Sequence, residues 1–199
     1  MESETKHITK TKEWIERLII GLDLCPFAKF PFREGLIHYE TSDSDEFKSM
    51  MAELVELVQK LATTKSKSDL DDKSAVLSNA FIIYTEDVSF GFLLDLEYSF
   101  LGLLEDAGLD TKFQTVVFHP EFKYEGEEEN AHGNFTNRSP YPMIHILRAE
   151  EVAEAIEKTP HVDMIPEINA AKLDKLALKK ISEVFESNFE ERVEEVLKV

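Results

Sequence analysis

A chain of 199 residues, 43% hydrophobic and 31% charged, has the make-up of one soluble globular domain with a substantial core, and is too short for two. Its 40 acidic against 22 basic residues leave a formal net charge of -18, a field that repels phosphate backbones and anionic lipid, so neither nucleic acid nor a membrane surface is an expected partner. No apolar run reaches the roughly 18–20 residues that cross a bilayer, the first residues lack a secretory signal, and the single cysteine, Cys25, permits no internal disulfide, so the expected location is cytoplasmic.

In chain order, Trp14, Ile15, Leu18 and Ile19 form an apolar stripe that predicts a helix from about Thr9 to Ile20, capped by Gly21. Leu22 to Phe32 contains Cys25-Pro26-Phe27 and Pro31-Phe32, too proline-broken for a regular element, and reads as an ordered apolar loop. Leu36 to Glu40 is a short strand, and Ser44 to Leu61 an amphipathic helix through Phe47, Met51, Leu54, Val55, Val58 and Leu61. Residues 63–78, rich in Ser, Thr, Lys and Asp, read as a surface loop. Ala80 to Tyr84 is a strand apolar on both faces, followed by a helix from Ser89 to Asp106 that ends at Gly108 and Leu109. Phe113 to Phe118 is a third strand, Met143 to Leu147 a fourth, and Ala149 to Lys158 a helix. A last helix is expected after Pro166, from about Ala170 to Lys198. Its apolar stripe through Leu176, Ile181, Val184, Phe185, Phe189, Val193 and Val196 makes residues 179–199 a helical extension that packs on its own chain or forms a homodimer.

Alternation of strands and helices predicts an α/β domain, with α+β as the alternative: parallel pairing among the first three strands and an antiparallel fourth. The expected architecture is a four-stranded mixed sheet covered by helices.

Function is expected between Gln114 and Arg148, where the third strand ends at His119-Pro120 and a polar loop longer than about 12–15 residues leads into Asn137-Arg138-Ser139-Pro140-Tyr141-Pro142. Asn134, Asn137, Arg138 and Ser139 are hydrogen-bonding groups, and the two prolines stiffen the backbone around Tyr141. If the fourth strand is antiparallel, His119 and Arg138 meet at one sheet edge; the plainer alternative is that His119 caps its strand and Arg138 pairs with a carboxylate. Cys25 has Lys29 and Arg33 nearby in sequence and could be a nucleophile, with a histidine and either Asn134 or Asn137 completing the set, or it could be inert packing. His145 alternates with Met143 and Leu147 and reads first as a hydrogen-bonded core histidine. Imidazole and thiolate suit zinc, so Cys25, His119 and His145 could share an ion, but no short-spaced ligand pair occurs, and no metal or other cofactor is expected. Glu125, Glu127, Glu128 and Glu129 lack the spacing of a calcium loop and read as a solvated acidic turn.

Three segments together carry a resemblance: Trp14 with Gly21 to Ala28, Gln114 through His119-Pro120 to Gly126, and Asn134 to Arg148. The chain resembles a family of uncharacterised, mainly bacterial proteins, domain of unknown function 1415, over about Thr9 to Leu173. The resemblance implies a cytosolic one-domain protein and matches Cys25, His119, Asn137, Arg138, Ser139 and His145 to the family's motif positions. The family pattern has Asn where Asp23 stands, an Arg close to His38, and Arg where Ile168 stands.

The resulting expectation is an enzyme of small-molecule metabolism acting on a compact anionic substrate. Arg138 would clamp a carboxylate or phosphate and His119 would act as acid or base, with Cys25 as nucleophile. Asn134, Asn137, Ser139, Tyr141, His145 and Arg148 would line the site. The alternative is a noncatalytic ligand-binding or oligomeric assembly module.

Overall fold

The computed structural model describes residues 5–66, 76–129 and 131–175. It is an α/β domain built on one four-stranded mixed sheet. In chain order the elements are α1 (Lys6–Trp14), a π-helical segment (Ile15–Ile20), α2 (Lys29–Arg33), β1 (Ile37–Ser42), α3 (Phe47–Thr63) and β2 (Asn79–Tyr84). Then follow α4 (Phe90–Asp106), β3 (Phe113–Phe118), a 3-10 turn (His132–Thr136), β4 (Met143–Arg148), α5 (Ala149–Glu157), a second 3-10 turn (Val162–Met164) and α6 (Ile165–Lys175).

The sheet order is β1-β2-β4-β3. β1 and β2 pair in parallel, and β4 pairs antiparallel with both β2 and β3. The first three strands therefore run one way, but β2 and β3 are not neighbours, because β4 is inserted between them. Direct β2–β3 pairing would leave β4 on an edge; inserted, β4 satisfies its backbone on both sides and buries Met143, Ile144 and Ile146.

The two faces of the sheet are covered differently. Ala80, Ile82 and Tyr84 of β2, Phe113 and Val117 of β3, and Ile144 and Ile146 of β4 pack against α3 and α4. Phe81, Ile83 and Met143 point the other way, toward Trp14, Ile15, Leu18 and Ile19 of the first helical run and toward Leu173 of α6. All six residues of β2 are buried, as its unbroken apolar run requires of a strand covered on both faces.

Local chemistry explains the element ends. Ser89 caps α4 by accepting from the Phe92 amide at 3.4 Å. Gly108, at φ 65, closes the same helix with its amide on Glu105 O and the Leu109 amide on Leu104 O, the glycine-capped terminus expected from the sequence. Gly21 is not such a cap: its φ is -62, and the helix before it widens, with the Gly21 amide reaching Glu16 O and the Leu24 amide reaching Ile19 O. Glycine is needed there for another reason, since a Cβ would lie 2.0 Å from the Arg17 carbonyl oxygen.

The segment expected to be loop throughout contains α2, in which Pro31 sits within the first turn. Amides there have no intrahelical acceptor, so proline removes nothing. Pro166 likewise lies at the start of α6 rather than before it. Of the loop expected at residues 63–78, the described ends are joined by a parallel bridge between Lys65 and Val76, with Val76 buried. The rest of that loop, and the extension expected at 179–199, lie outside the described residues.

Candidate functional site

Residues two apart on a strand share a face, and the register of this sheet fixes which side chains meet. On the face turned toward Trp14, Tyr39, Phe81, His145 and Val116 form one row across the four strands. Ile37, Asn79, Leu147 and Gln114 form the next. Tyr39 stacks on Phe81 at 5.8 Å between centroids, and Phe81 on His145 at 3.8 Å and 8°.

Above these rows lies a cleft of about 980 Å³. Trp14, Ile15 and Ile19 line it with Leu24, Cys25 and Phe27, as do Tyr124, Thr136 and Asn137. Ile165, Pro166 and Asn169 of α6 also line it. Asn169 holds α6 to the Cys25 loop by donating to Leu24 O at 2.7 Å, and Lys172 bonds Asp23. The lining is largely apolar, with Glu125, Glu127 and Glu167 its acidic members; no lysine or arginine lines it among the described residues.

His145 Nε2 lies 2.9 Å from Asn79 Oδ1. An amide oxygen only accepts, so Nε2 carries the proton and Nδ1 keeps its lone pair. Burial pushes the His145 pKa down to about 3, so the ring is neutral at physiological pH, although it is only half-buried because the cleft reaches it. Asn79 itself is 4% exposed.

Cys25 lines the same cleft. Burial raises its pKa above the ordinary thiol range, against the opposing pull of the Phe27 and Ala28 amides, and Asp23 raises it further. Lys29 and Arg33, the cations expected to activate it, are exposed and exert no such effect. No hydrogen bond joins Cys25 to His145 or His119 among the described residues.

The residues expected to bind ligand around His119 are bonded to the protein's own main chain and side chains. His119 lies an odd number of positions from Val116, so it points to the opposite face of the sheet from His145. It is 2% exposed, with Nε2 donating to Val88 O at 2.8 Å and Nδ1 accepting from the Glu121 amide at 2.9 Å. Both ring nitrogens are thus engaged by main chain, beside Phe90 at 5.3 Å.

Arg138 donates through Nε to Phe122 O at 3.1 Å and through a terminal nitrogen to Glu129 O at 2.7 Å, with its guanidinium 4.6 Å above Phe135. Asn134, fully buried, donates to Glu128 O and Glu129 O and accepts from the Tyr124 amide. Ser139 donates to Tyr141 O, and Tyr141 packs edge-on against His7. Arg148 binds the carbonyls of Leu61, Thr64 and Leu77, fastening the end of α3 to β4. Asn137 does line the cleft, yet its oxygen accepts from Tyr124 and Thr136 while its nitrogen donates to Val117 O. The polar loop is a scaffold that satisfies its own backbone, and Cys25, Asn137 and His145 are the expected residues brought to the cleft.

Among the described residues, no group of three or more His, Cys, Asp or Glu side chains is placed to hold a metal ion. No described helix is long and apolar enough to cross a membrane. Sequence reasoning missed Asn79 and the stacked row beside it. The available signal was a lone amide, Ser78-Asn79-Ala80, opening an otherwise apolar strand.

Fold and cleft together define an α/β protein with a ligand-sized cavity on one face of a mixed sheet. The family described as "Protein of unknown function (DUF1415)" matches residues 6–183, and the chain belongs to that family. No curated protein and no solved structure matches it.

Proposed function

We propose that this chain binds a small molecule in the cleft over Phe81 and His145, and that the ligand has an apolar body and no negative charge. The observation that carries this reading is the lining: mainly apolar side chains, three glutamates, and no lysine or arginine among the described residues. An anion moved there would lose its hydration with no lysine or arginine of the described residues opposite it to replace that loss. Arg138 and Arg148, the cations expected for an anionic substrate, are bound to carbonyl oxygens elsewhere. This favours an uncharged ligand over the compact anion.

Trp14, the chain's one tryptophan, stands in the cleft wall and reports occupancy through its emission. Adamantane-1-carboxamide and adamantane-1-carboxylate share one apolar body, absorb nothing near the indole band, and differ in charge. The carboxamide is expected to bind saturably and at least about tenfold tighter than the carboxylate, as one uncompensated buried charge demands. Tighter binding of the carboxylate would overturn the proposal.

A catalytic reading stands second, favoured by Cys25 sharing this cleft with His145. In the resting protein the two groups are a thiol and a neutral imidazole, neither primed for attack or proton abstraction. That weighs toward binding; turnover lost in Cys25→Ala with probe binding retained would reverse the order.

A further inference from the structure

We infer that the ligand of this cleft presents a neutral oxygen acceptor to Asn79 Nδ2, of the kind that ketones, esters, lactones and amides carry. The inference rests on the cleft reading above and adds one polar point to the apolar body.

Asn79 opens β2 in a row where Ile37 and Leu147 flank it on the neighbouring strands, so neither flanking side chain offers it an acceptor. The one hydrogen bond of its side chain among the described residues is with His145. There Nε2–H takes the amide Oδ1, and the two hydrogens of Nδ2 have no acceptor among the described residues. Trp14 Nε1 and Tyr84 Oη also lack a partner, but both are sealed within protein; Asn79 Nδ2 is not sealed, and it opens on the cavity that Asn79 lines. Asn79 as a whole is 4% exposed. An unpaired N–H so nearly excluded from water is costly, and an acceptor brought by a ligand recovers that loss.

The polarity of this point follows from the bond beside it. With Oδ1 committed to His145, the asparagine offers donors only, so a ligand group that itself donates gains nothing there. The bond to a ring stacked on Phe81, and backbone pairing on both sides of β2, fix the amide before a ligand arrives. A carboxylate could accept the same bond, but it would enter a lining with three glutamates and, among the described residues, no lysine or arginine. The acceptor is therefore neutral.

The test compares 1-acetyladamantane with 2-(1-adamantyl)propene, in which a methylene replaces the carbonyl oxygen, by calorimetry on the full chain. The ketone is expected to bind at least about threefold tighter, although the alkene is the more hydrophobic, as one net hydrogen bond to a buried donor implies. In Asn79→Leu that preference is expected to disappear. The unmodified protein gives a second measurement that stands whether or not the variant folds: with ¹⁵N-labelled asparagine, the side-chain amide protons of Asn79 are expected to lie further downfield in the ketone complex than in the alkene complex. A ketone bound no more tightly than the alkene, with those protons at one position in both complexes, would overturn the acceptor assignment and leave the cleft reading intact. A preference kept in Asn79→Leu would overturn the role of Asn79. Binding of neither compound would overturn both the acceptor and the cleft reading.

Discussion

His145 and Asn79 meet across neighbouring strands, Nε2 to Oδ1 at 2.9 Å, and the partner available to the histidine is an amide rather than a carboxylate. A carboxylate would raise the imidazole pKa; here nothing offsets burial, and the pKa falls to about 3. In the unfolded chain the ring titrates near about 6.5. A depressed folded value means that the unfolded state takes up the proton first. The stability contributed by the neutral ring is thus complete above pH 6.5 and is lost as pH falls from there toward 3. Urea unfolding of the protein and of His145→Gln at pH 7 and pH 4.5 checks this. The unsubstituted chain is expected to lose roughly 1–2 kcal/mol more than the variant over that interval, below the limiting slope of about 1.4 kcal/mol per unit because the cleft admits some water. Equal losses would mean that the folded ring accepts a proton freely.

Arg138 is expected to behave as a staple. Its guanidinium joins Phe122 O, Glu129 O and the Phe135 ring, so Arg138→Ala leaves the Phe122 carbonyl and a ring face unmet and Glu129 O with Asn134 alone. A loss of about 2–4 kcal/mol in unfolding free energy is expected, with faster proteolysis between residues 121 and 137. Arg138→Lys should recover little, because one ammonium cannot reproduce the fork. At a temperature where the Ala variant is folded, affinity for adamantane-1-carboxamide should be unchanged. Intact stability with lost affinity would return Arg138 to the site.

The sheet was largely legible because period and length are local properties: β2, β3, β4 and the glycine-capped end of α4 follow from runs of apolar residues and one punctuating glycine. The placement of β4 between β2 and β3 was not, since nothing local distinguishes an edge from an inserted strand. The internal bonding of the expected site residues was not legible for a related reason. Asn134, Arg138 and Ser139 look like ligand groups in sequence, but a loop that must satisfy its own buried amides uses the same side chains. What separates His119 from His145 is parity: once Val116 pairs with His145, His119 must face the other way. That register appears only when the strands are paired.

Gly21 tests whether the widened helical segment is required by the chain path. A Cβ there would lie 2.0 Å from Arg17 O, a backbone atom that cannot move aside alone. Gly21→Ala is expected to cost at least about 2 kcal/mol, and to shift Trp14 emission because Ile15 and Ile19 share the cleft wall with it. An Ala variant as stable as the parent would show that the segment relaxes to a regular helix without cost.

Cys25 combines two opposing influences. The amides of Phe27 and Ala28 favour a thiolate, but burial outweighs them and Asp23 adds repulsion, so the thiol keeps its proton through the physiological range. Alkylation proceeds through the thiolate, and each unit by which the pKa exceeds pH lowers that fraction tenfold. The iodoacetamide rate at pH 8 is therefore expected to fall below that of an unstructured cysteine peptide, and to keep rising with pH beyond the point where the peptide levels off. Asp23→Asn removes the repelling charge and keeps a residue type that tolerates the φ of 51 found there, so it should shift the midpoint of that rise to lower pH without unfolding the loop. Saturating adamantane-1-carboxamide should slow alkylation further, because Cys25 and the Asn79–His145 floor border one cavity. A rate at or above that of the peptide would identify a thiolate activated in the cleft, and would move the protein from ligand binding toward thiol chemistry.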